Sequence, residues 1–368
     1  MTKGRLWLWC KTVAGAAAVY ATVPLLAVAW IVGKLLGFPG AMRRRLLWAL
    51  LLLPAVYAAW WMFGSGGTAA APVTLQVRAG MTFAALTDSL SAYGVIRQPL
   101  LFRGAARLGG FDRQLHVGLY EFSPGASPYD VLRKLARHEQ IHVQFTVVEG
   151  ATMQEFLPEI ARELGLPLDS LKLAVRRPQR RAQLGVPTDR LEGYLFPETY
   201  TVPWGADANT AVDAMIAQFE AVWSRVSRGY DGKLSRHEAV TLASLIEAEA
   251  KDGSERGRIS SVFHNRLRRK MRLQCDPTVI YAMGGLDRPL LRKDWQYESP
   301  YNTYLVAGLP PGPICSPGLA ALRAALFPDT TDLLYFVATG DGTHVFSRTL
   351  ADHERAIARI KQNSSAYR

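Results

Sequence analysis

The chain has 368 residues, enough for a membrane anchor and about two modest domains. It carries 43 Lys and Arg against 31 Asp and Glu, and this formal net charge of +12 suits nucleic acid, an anionic membrane surface or an acidic polymer as a partner. The sequence contains no nucleic-acid-binding motif, so we expect no nucleic-acid partner and interpret the charge as serving solubility and membrane orientation.

Residues 1–63 have the composition of a membrane anchor. Thr12–Gly33 is an uncharged run of about 22 residues, long enough to span a bilayer, and Leu46–Phe63 is a second run of about 18. Arg43–Arg45 lies between them, so the positive-inside rule places this loop in the cytoplasm and exports the chain after Phe63. A single-pass anchor that begins at Met42 is the alternative, and it exports the same C-terminal part.

Residues 64–72 are rich in Gly, Ser and Ala and predict a flexible linker, and residues 73–148 predict a small module with a β-α-α-β plan. Its predicted elements are a strand at Val73–Val77, helices at Thr82–Gly94 and Gln98–Leu108, a strand at His116–Gly125, a helix at Ser127–His138 and a strand at Ile141–Val148. Residues 149–190 are helical and increasingly basic, and we expect them to connect this module to a C-terminal domain at residues 191–368.

The C-terminal domain is predicted to mix helices with short strands. Hydrophobic periodicity predicts helices at Asn209–Arg228, Ser235–Gly253, Arg258–Arg269, Ala320–Phe327 and Leu350–Gln362, and a hairpin formed by Leu333–Ala338 and His344–Ser347. Met215, Phe219 and Val222 are expected in the core. Because the pattern lacks βαβ alternation, the predicted fold class is α+β.

The helix at Ser235–Gly253 is the one that indicates chemistry. Ser235 and Glu238 have the spacing of a capping box, and apolar residues follow at helical spacing. Glu247 and Glu249 flank the apolar face, where a carboxyl loses hydration and its pKa rises, as a general acid requires. Helical periodicity does not choose between the two, and the ordinary alternative is that both are solvated surface charges.

Two polar, aromatic segments rich in Gly and Pro follow this helix, at Ser261–Gly285 and Ser299–Gly318. Their side chains suit a carbohydrate cleft, since sugar rings stack on aromatic rings and sugar hydroxyls bond to amides and carboxylates. The residues with these properties are Asn265, Arg266, Gln274, Asp276, Tyr301, Asn302 and Tyr304.

Seven ordered segments carry a family resemblance, which extends from about Val73 to near the C-terminus. They are LEGYLFPETY (Leu191–Tyr200), ASLIEAEA (Ala243–Ala250), VFHNRL (Val262–Leu267), MRLQCDPTVIYAMG (Met271–Gly284), SPYNTY (Ser299–Tyr304), GLPPGPICSPG (Gly308–Gly318) and LYFVATGDGTHVFSRTLADHE (Leu334–Glu354). Together they resemble the endolytic murein transglycosylase family of the YceG type. The resemblance implies a LysM-like module at residues 73–148, either glycan-binding or simply packing, followed by a catalytic domain.

The same resemblance implies a reaction and a place for it. Such an enzyme is anchored in the cytoplasmic (inner) membrane, with its catalytic domain on the extracytoplasmic side. It cuts nascent peptidoglycan strands at the N-acetylmuramic acid–N-acetylglucosamine bond. Peptidoglycan synthases are the implied protein partners. No cofactor is expected.

A lytic transglycosylase needs only one enzymic carboxylate, because the C6 hydroxyl of N-acetylmuramic acid attacks C1 intramolecularly and closes a 1,6-anhydro ring. By resemblance this acid and base is Glu247, with Glu249 as a supporting or surface residue. By the same resemblance Gln274, Asp276, Asn302 and Tyr304 are candidates to hold the sugar, and Asn265 is a candidate from its residue type. Glu192 and Glu198 either line the cleft or brace it, and Asp276 before Pro277 is equally an Asx-turn residue.

Other kinds of site find less support in the sequence. No His, Cys, Asp or Glu cluster has metal-ligand spacing, so we expect no metal. Cys275 and Cys315 either pair as a disulfide or remain free thiols. His264 either contacts the substrate or makes a structural hydrogen bond.

Two rival functions remain. One is a water-using muramidase whose second carboxylate is Asp276 or Glu192, which would leave reducing ends. The other is a wall-binding scaffold without catalysis.

Overall fold

The structure, a computed structural model, describes residues 31, 34, 37, 39–64, 66–78, 80–113 and 115–366. The described chain divides into two compact units. The first consists of the residues up to His142 with Pro203–Gly205, and the second of Val143–Val202 with the chain from Ala206 onward. Small two-stranded sheets among many helices make the fold class α+β, as the sequence predicts.

The first unit is a small helical layer on a two-stranded sheet. Its elements are α1 (Gly40–Phe63), β1 (Val73–Val77), α2 (Phe83–Ala92), α3 (Pro99–Gly109), β2 (Gly118–Phe122) and α4 (Pro128–Ala136). Strands β1 and β2 are antiparallel, with Val73 opposite Phe122 and Val77 opposite Gly118. Leu86, Phe102 and Tyr120 are fully buried in its core. The module's predicted helices and first two strands are confirmed.

The strand predicted at Ile141–Val148 takes a different partner from the rest of the module. It forms β3 (His142–Thr146), which pairs with β4 (Thr199–Pro203) and not with β1 or β2. The LysM-like character of the module is not confirmed.

The predicted anchor is only partly covered by the described residues. Apart from Ile31, the run Thr12–Gly33 lies outside them. Leu46–Phe63 falls within α1. None of the helices formed by the described residues combines the length and hydropathy that a membrane crossing requires.

The second unit contains the segments that the family resemblance rests on. Its elements after β3 are α5 (Met153–Leu164), α6 (Leu168–Val175), α7 (Pro178–Leu184), β4, α8 (Ala208–Val226), α9 (Arg236–Glu249), α10 (Arg256–Arg268), α11 (Asp276–Ala282), α12 (Leu319–Leu326), β5 (Tyr335–Ala338), β6 (His344–Ser347) and α13 (Leu350–Ala366). The predicted hairpin is confirmed, with Tyr335 opposite Ser347.

Residues 149–190, expected to be a connecting segment, contribute to the core of the second unit. Phe156, Ile160 and Leu171 of α5 and α6 are buried in the same cluster as Met215 and Phe219 of α8. These apolar side chains recur at helical spacing, so their helices have a face to bury and do not serve as a solvated linker.

Helix α9 lies at the centre of this core. The predicted capping box is present: Ser235 Oγ accepts from the Glu238 N–H, and the Ser235 N–H donates to Glu238 Oε2 at 2.8 Å. All residues from 239 to 246 are buried, including the polar Thr241 and Ser244, so the helix is enclosed on every side and not only on one face. It ends at Glu249, four residues before Gly253, because Ala250 is extended. Glu247 and Glu249 therefore lie in its last turn.

Candidate active site

The two glutamates of α9 point to different surroundings. Residues two apart on an α-helix are rotated by about 200° around its axis, so their side chains leave on nearly opposite sides. Glu247 meets the start of α10 and the start of α12, and Glu249 meets the segment that leads into α11.

Glu247 is a satisfied, buried carboxylate. Its side chain is 5% exposed, and Oε1 accepts from Arg256 Nη2 at 2.7 Å. Oε2 accepts from the Gly318 N–H at 2.9 Å. Since both oxygens are bound by N–H donors, this carboxylate joins α9, α10 and the N-terminus of α12.

Glu149 lies beside this ion pair. Burial and the charge of Glu247 raise its pKa, and Arg256 acts in the opposite direction. Its carboxyl lies so close to Gly318 that a Cβ built there would come within 2.0 Å of Glu149 Oε1. A side chain at position 318 would therefore require the Glu149 carboxyl to move away from this helix N-terminus, where the helix dipole favours negative charge.

Glu249 is in a different electrostatic environment. The pKa of its carboxyl is raised to about 7, chiefly by burial; the Asp276 charge also raises it, and the Cys275 thiol and the Arg266 charge act to lower it. The residue is half-buried, as Glu247 is. Glu249 can thus hold a proton near neutral pH.

Asp276 and Tyr304, two predicted sugar-binding residues, are in direct contact near Glu249. The Tyr304 hydroxyl donates to Asp276 Oδ1 at 2.6 Å. Trp295 Nε1 donates to the same oxygen at 3.2 Å, and its ring stacks on Tyr304 with the centroids 5.1 Å apart. Sequence reasoning missed Trp295, which stands between the two polar segments and outside every motif.

Gln274 is exposed and lies next to these residues, in a left-handed backbone conformation with φ of 52°. Such conformations are uncommon for residues other than glycine and concentrate at functional sites. Its N–H donates to the Thr303 carbonyl at 3.2 Å, and Arg266 Nη1 lies 3.4 Å from its side-chain oxygen. The structure thus brings Gln274, Asp276 and Tyr304 into one region, in which Asp276 lies near enough to Glu249 to raise its pKa.

Asn302 and Asn265 are placed differently from what their prediction as sugar ligands requires. Asn302 is fully buried, donates to the carbonyls of Trp295 and Tyr297, and accepts from the Tyr304 N–H. Buried Asn265 donates to the carbonyls of Thr331 and Leu333. Both amides brace loops, and the prediction that they contact sugar gains no support from these positions.

Glu192 is a second buried acid whose pKa is raised to about 7, mainly by burial. Its Oε1 accepts from the Met153 N–H at 2.9 Å, and its Oε2 accepts from the Tyr281 hydroxyl at 3.3 Å. Tyr281 belongs to α11, which also carries Asp276 at its first turn. These contacts favour a bracing role for Glu192 over the alternative that it lines the cleft.

The remaining candidates lie away from Glu249 or serve the fold. Glu198 is exposed and accepts from the Thr199 N–H at 3.2 Å. His264 Nε2 is 2.8 Å from the Ala325 carbonyl, and burial lowers its pKa, which fits a structural hydrogen bond. Cys275 and Cys315 are buried free thiols, so the disulfide alternative is wrong. Within the described ranges, no cluster of three or more His, Cys, Asp or Glu is arranged to hold a metal ion.

Comparison with known proteins assigns the chain to a family. Residues 75–359, more than three quarters of the chain, match the YceG-like family. The chain belongs to the YceG-like family. The predicted resemblance is therefore confirmed, and the YceG-like region includes both glutamates of α9 and the polar segments that follow them.

Individual relatives agree with the YceG-like assignment. An endolytic murein transglycosylase of Bacillus subtilis (strain 168) is 35% identical over 305 residues, which cover 77% of this chain and 83% of that protein. One from Streptococcus pneumoniae (serotype 2, strain D39) is 28% identical over 319 residues, covering 78% of this chain and 58% of that protein.

A solved structure is also similar. The crystal structure of a putative YceG-like protein from Listeria monocytogenes matches with a TM-score of 0.53 and 31% sequence identity. The match covers 77% of this chain and 99% of that one.

Proposed function

We propose that this YceG-like chain is an endolytic lytic transglycosylase that cleaves the N-acetylmuramic acid–N-acetylglucosamine bond inside peptidoglycan strands. The enzyme class is indicated by the names of its relatives in B. subtilis and S. pneumoniae. The observation that carries the proposal is the environment of Glu249, a half-buried acid whose pKa is raised to about 7 and which lies near Asp276, a residue bonded to the Tyr304 hydroxyl.

The proposed reaction uses one glutamate twice. Glu249, protonated, donates its proton to the glycosidic oxygen while the bond to C1 of N-acetylmuramic acid breaks. The C6 hydroxyl of the same sugar attacks C1, and Glu249, now ionised, takes the hydroxyl proton. The products are a 1,6-anhydro end and a free C4 hydroxyl, and Glu249 is again protonated for the next turnover.

Asp276 has a supporting role in this scheme. Its carboxylate helps Glu249 to remain protonated, because two neighbouring carboxyls do not ionise together easily. Tyr304 and Trp295 both donate hydrogen bonds to Asp276 Oδ1 and so hold this side chain in place. Gln274 and the aromatic pair Trp295–Tyr304, which lie in the same region as Asp276, suit a sugar ring and its hydroxyls.

The assignment of the acid to Glu247 follows from the resemblance and stays a prediction. The contacts favour Glu249, because both oxygens of Glu247 are already engaged, one by Arg256 Nη2 and the other by the Gly318 N–H. Glu247 fits a structural role, because it links the C-terminal end of α9 to α10 and to the start of α12. The variants Glu249→Gln and Glu247→Gln, assayed side by side, separate the two assignments.

Product chemistry tests the reaction itself. The full-length protein in detergent is incubated with uncrosslinked glycan strands in H₂¹⁸O, and the products are identified by mass spectrometry. We expect internal cuts with 1,6-anhydro ends and no ¹⁸O. Reducing ends that carry ¹⁸O identify the water-using muramidase, and binding to insoluble peptidoglycan without any release identifies a scaffold.

The cellular setting belongs to the same proposal. Anchoring through residues 1–63, with export of the chain after Phe63, is supported by the uncharged runs and by Arg43–Arg45. Work near the membrane on nascent strands would place peptidoglycan synthases within reach. Protease treatment of spheroplasts tests the topology: degradation of the C-terminal part from outside is expected, and full protection contradicts export.

A further inference from the structure

Helix α1 is packed against the rest of the first unit at its C-terminal end. Met62 is buried in the core of this unit, and the ring of Phe63 lies 5.1 Å from the ring of Tyr129. Just beyond the helix, the Gly66 N–H donates to the Ala126 carbonyl at 3.2 Å. The uncharged run that ends at Phe63 is therefore fixed to the folded module that follows it.

An exposed apolar patch lies where α1 meets the start of α3. It consists of Tyr57, Trp60, Leu100 and Leu101, and Leu100 is 78% exposed. The Gln98 side-chain N–H donates to the Tyr57 hydroxyl at 3.2 Å, and the rings of Tyr57 and Trp60 are 6.1 Å apart. Because Gln98 directly precedes α3, these contacts place the first turn of α3 beside α1. Clustered exposed apolar side chains of this kind mark an interaction surface.

The length of the uncharged run sets the depth of this patch in a bilayer. Leu46–Phe63 has about 18 residues and rises about 27 Å as a helix, against a hydrocarbon thickness of about 30 Å. An anchor this short has to enter the bilayer over its whole length, including Tyr57, which lies about 9 Å before Phe63 along the helix axis. Because Gln98 bonds to Tyr57, the start of α3 then lies at the lipid interface.

The charges around the patch complement anionic phospholipid headgroups. Before Asp112 the sequence contains a single acidic residue, Asp88, and Arg103 forms an ion pair with it. Arg97, just before α3, and Arg107, in its last turn, are both exposed. Guanidinium groups bind headgroup phosphates, and Trp and Tyr side chains favour the same level of the bilayer. Apolar side chains flanked by arginines therefore match a lipid surface.

We propose that the first unit rests on the extracytoplasmic surface of the membrane, with Leu100 and Leu101 inserted into the lipid interface beside Tyr57 and Trp60. The inference rests on the anchoring proposed above and goes beyond it, because an anchor alone would leave the module in the aqueous phase. Partial insertion of an amphipathic helix gives the module a second attachment to the bilayer and so fixes its orientation on the membrane.

Spin labels on single cysteines test the depth of the patch. Full-length Leu100→Cys and Leu101→Cys are made in a Cys10→Ser background, which should take up no label itself because Cys275 and Cys315 are buried. The labelled proteins are reconstituted in vesicles of phosphatidylethanolamine and phosphatidylglycerol. Power-saturation EPR then compares collisions of each label with oxygen, which concentrates in lipid, and with a water-soluble nickel chelate.

Val117→Cys and Leu53→Cys are the controls. Val117 is also an exposed apolar residue of the first unit, but it precedes β2 at the end of the sheet opposite to Phe122, and its label should remain in water. Leu53 is exposed in the middle of the uncharged run, and its label should lie in lipid. We expect the oxygen-to-nickel collision ratio at positions 100 and 101 to exceed that at position 117 several-fold.

The pattern of labels separates failure of the inference from failure of the proposed anchoring. Labels at positions 100 and 101 that are as accessible to nickel as the label at position 117, with lipid around position 53, overturn the inference and leave the anchoring intact. Protection of both positions from oxygen and nickel alike shows that a protein covers the patch, and this also overturns it. Water around position 53 contradicts the anchoring, and the inference falls with it. The readout needs no turnover, so the identity of the catalytic acid does not affect it.

Discussion

At the scale of single residues, the chemistry depends on what surrounds two glutamates of the same helix turn. Glu247 accepts from a guanidinium and a backbone N–H, and Glu249 meets a thiol and a second carboxylate. Identical side chains therefore have different capacities, one to hold elements together and one to exchange a proton. Environment, and not residue type, decides which acid can serve as catalyst.

Glu192 should make the stability of the protein depend on pH. Its folded-state pKa is about 7 against an ordinary 4.5, so the folded protein binds more protons than the unfolded chain between these values. Stability from this group is present below about pH 4.5 and is lost as the pH rises to about 7. Glu192→Gln keeps an acceptor for the Met153 N–H and removes the titration.

We expect Glu192→Gln to gain stability relative to the wild type between pH 5 and pH 8, by about 1–3 kcal/mol. Urea unfolding at both pH values measures this difference. Exposed Glu198, in the same segment, provides the control Glu198→Gln, which should follow the wild type. Parallel pH curves for wild type and Glu192→Gln would show that the buried carboxyl is not protonated in the folded state.

At the scale of elements, the loops around α9 are packed against one another more tightly than their Gly and Pro content suggests. Gly193, with φ of 77°, approaches Pro313 so closely that an added Cβ would lie 2.5 Å from the proline Cβ and 3.2 Å from Val240 Cγ1. The LEGYLFPETY and GLPPGPICSPG segments therefore meet at this glycine, beside the start of the central helix.

Gly193→Ala should destabilise the protein by about 2–4 kcal/mol, since it combines left-handed backbone strain with overpacking against a rigid ring. Gly185→Ala is the control, because Gly185 has a similar φ of 67° and open space around the added Cβ. That control should lose only about 1 kcal/mol. Thermal unfolding of both variants measures the difference, and equal losses would exclude the close contact with Pro313.

The sequence predicts well those elements whose signals are local. The capping box of α9, the buried face of α8 and the β5–β6 hairpin all depend on residues a few positions apart, and all are confirmed. The strand at residues 142–146 was found, but its partner β4 lies more than fifty residues further along, where periodicity carries no information. The same limit applies to buried Asn265, whose partners Thr331 and Leu333 lie more than sixty residues further along.

The candidate site shows the same limit. Sequence reasoning finds Gln274, Asp276 and Tyr304 because sugar chemistry needs these residue types in one region, and it identifies both glutamates of α9. It ranks Glu247 above Glu249 by family resemblance alone, because the contact between Glu247 and Gly318, 71 residues further along, exists only in the folded chain. Likewise, the structure and not the sequence identifies Trp295 and the Cys275 thiol as neighbours of the site.

At the scale of the whole molecule, the second unit carries the acids, the polar segments and both described cysteines. Cys275 and Cys315 are fully buried free thiols in the core of this unit, so their reactivity reports on its folding. Cys10 lies outside the described residues.

In a Cys10→Ser variant prepared without reductant, we expect no thiol reaction with a colorimetric disulfide reagent in the native state and two thiols after unfolding in guanidinium. Both thiols should appear in one transition, because they share one core. Fewer than two thiols in denaturant would reveal a bridge, and reaction in the native state would show that the core is open.

The most direct measurement is the turnover of glycan strands by full-length Glu249→Gln and Glu247→Gln, each corrected for its folded fraction. Loss of a general acid should lower kcat by about 10²–10⁴-fold in Glu249→Gln. Glu247→Gln should lose stability, since Arg256 loses its charged partner. The molecules of this variant that remain folded should turn over glycan strands at a rate within about tenfold of the wild-type rate. The reverse order, an active Glu249→Gln and an inactive but folded Glu247→Gln, would contradict Glu249 as the acid.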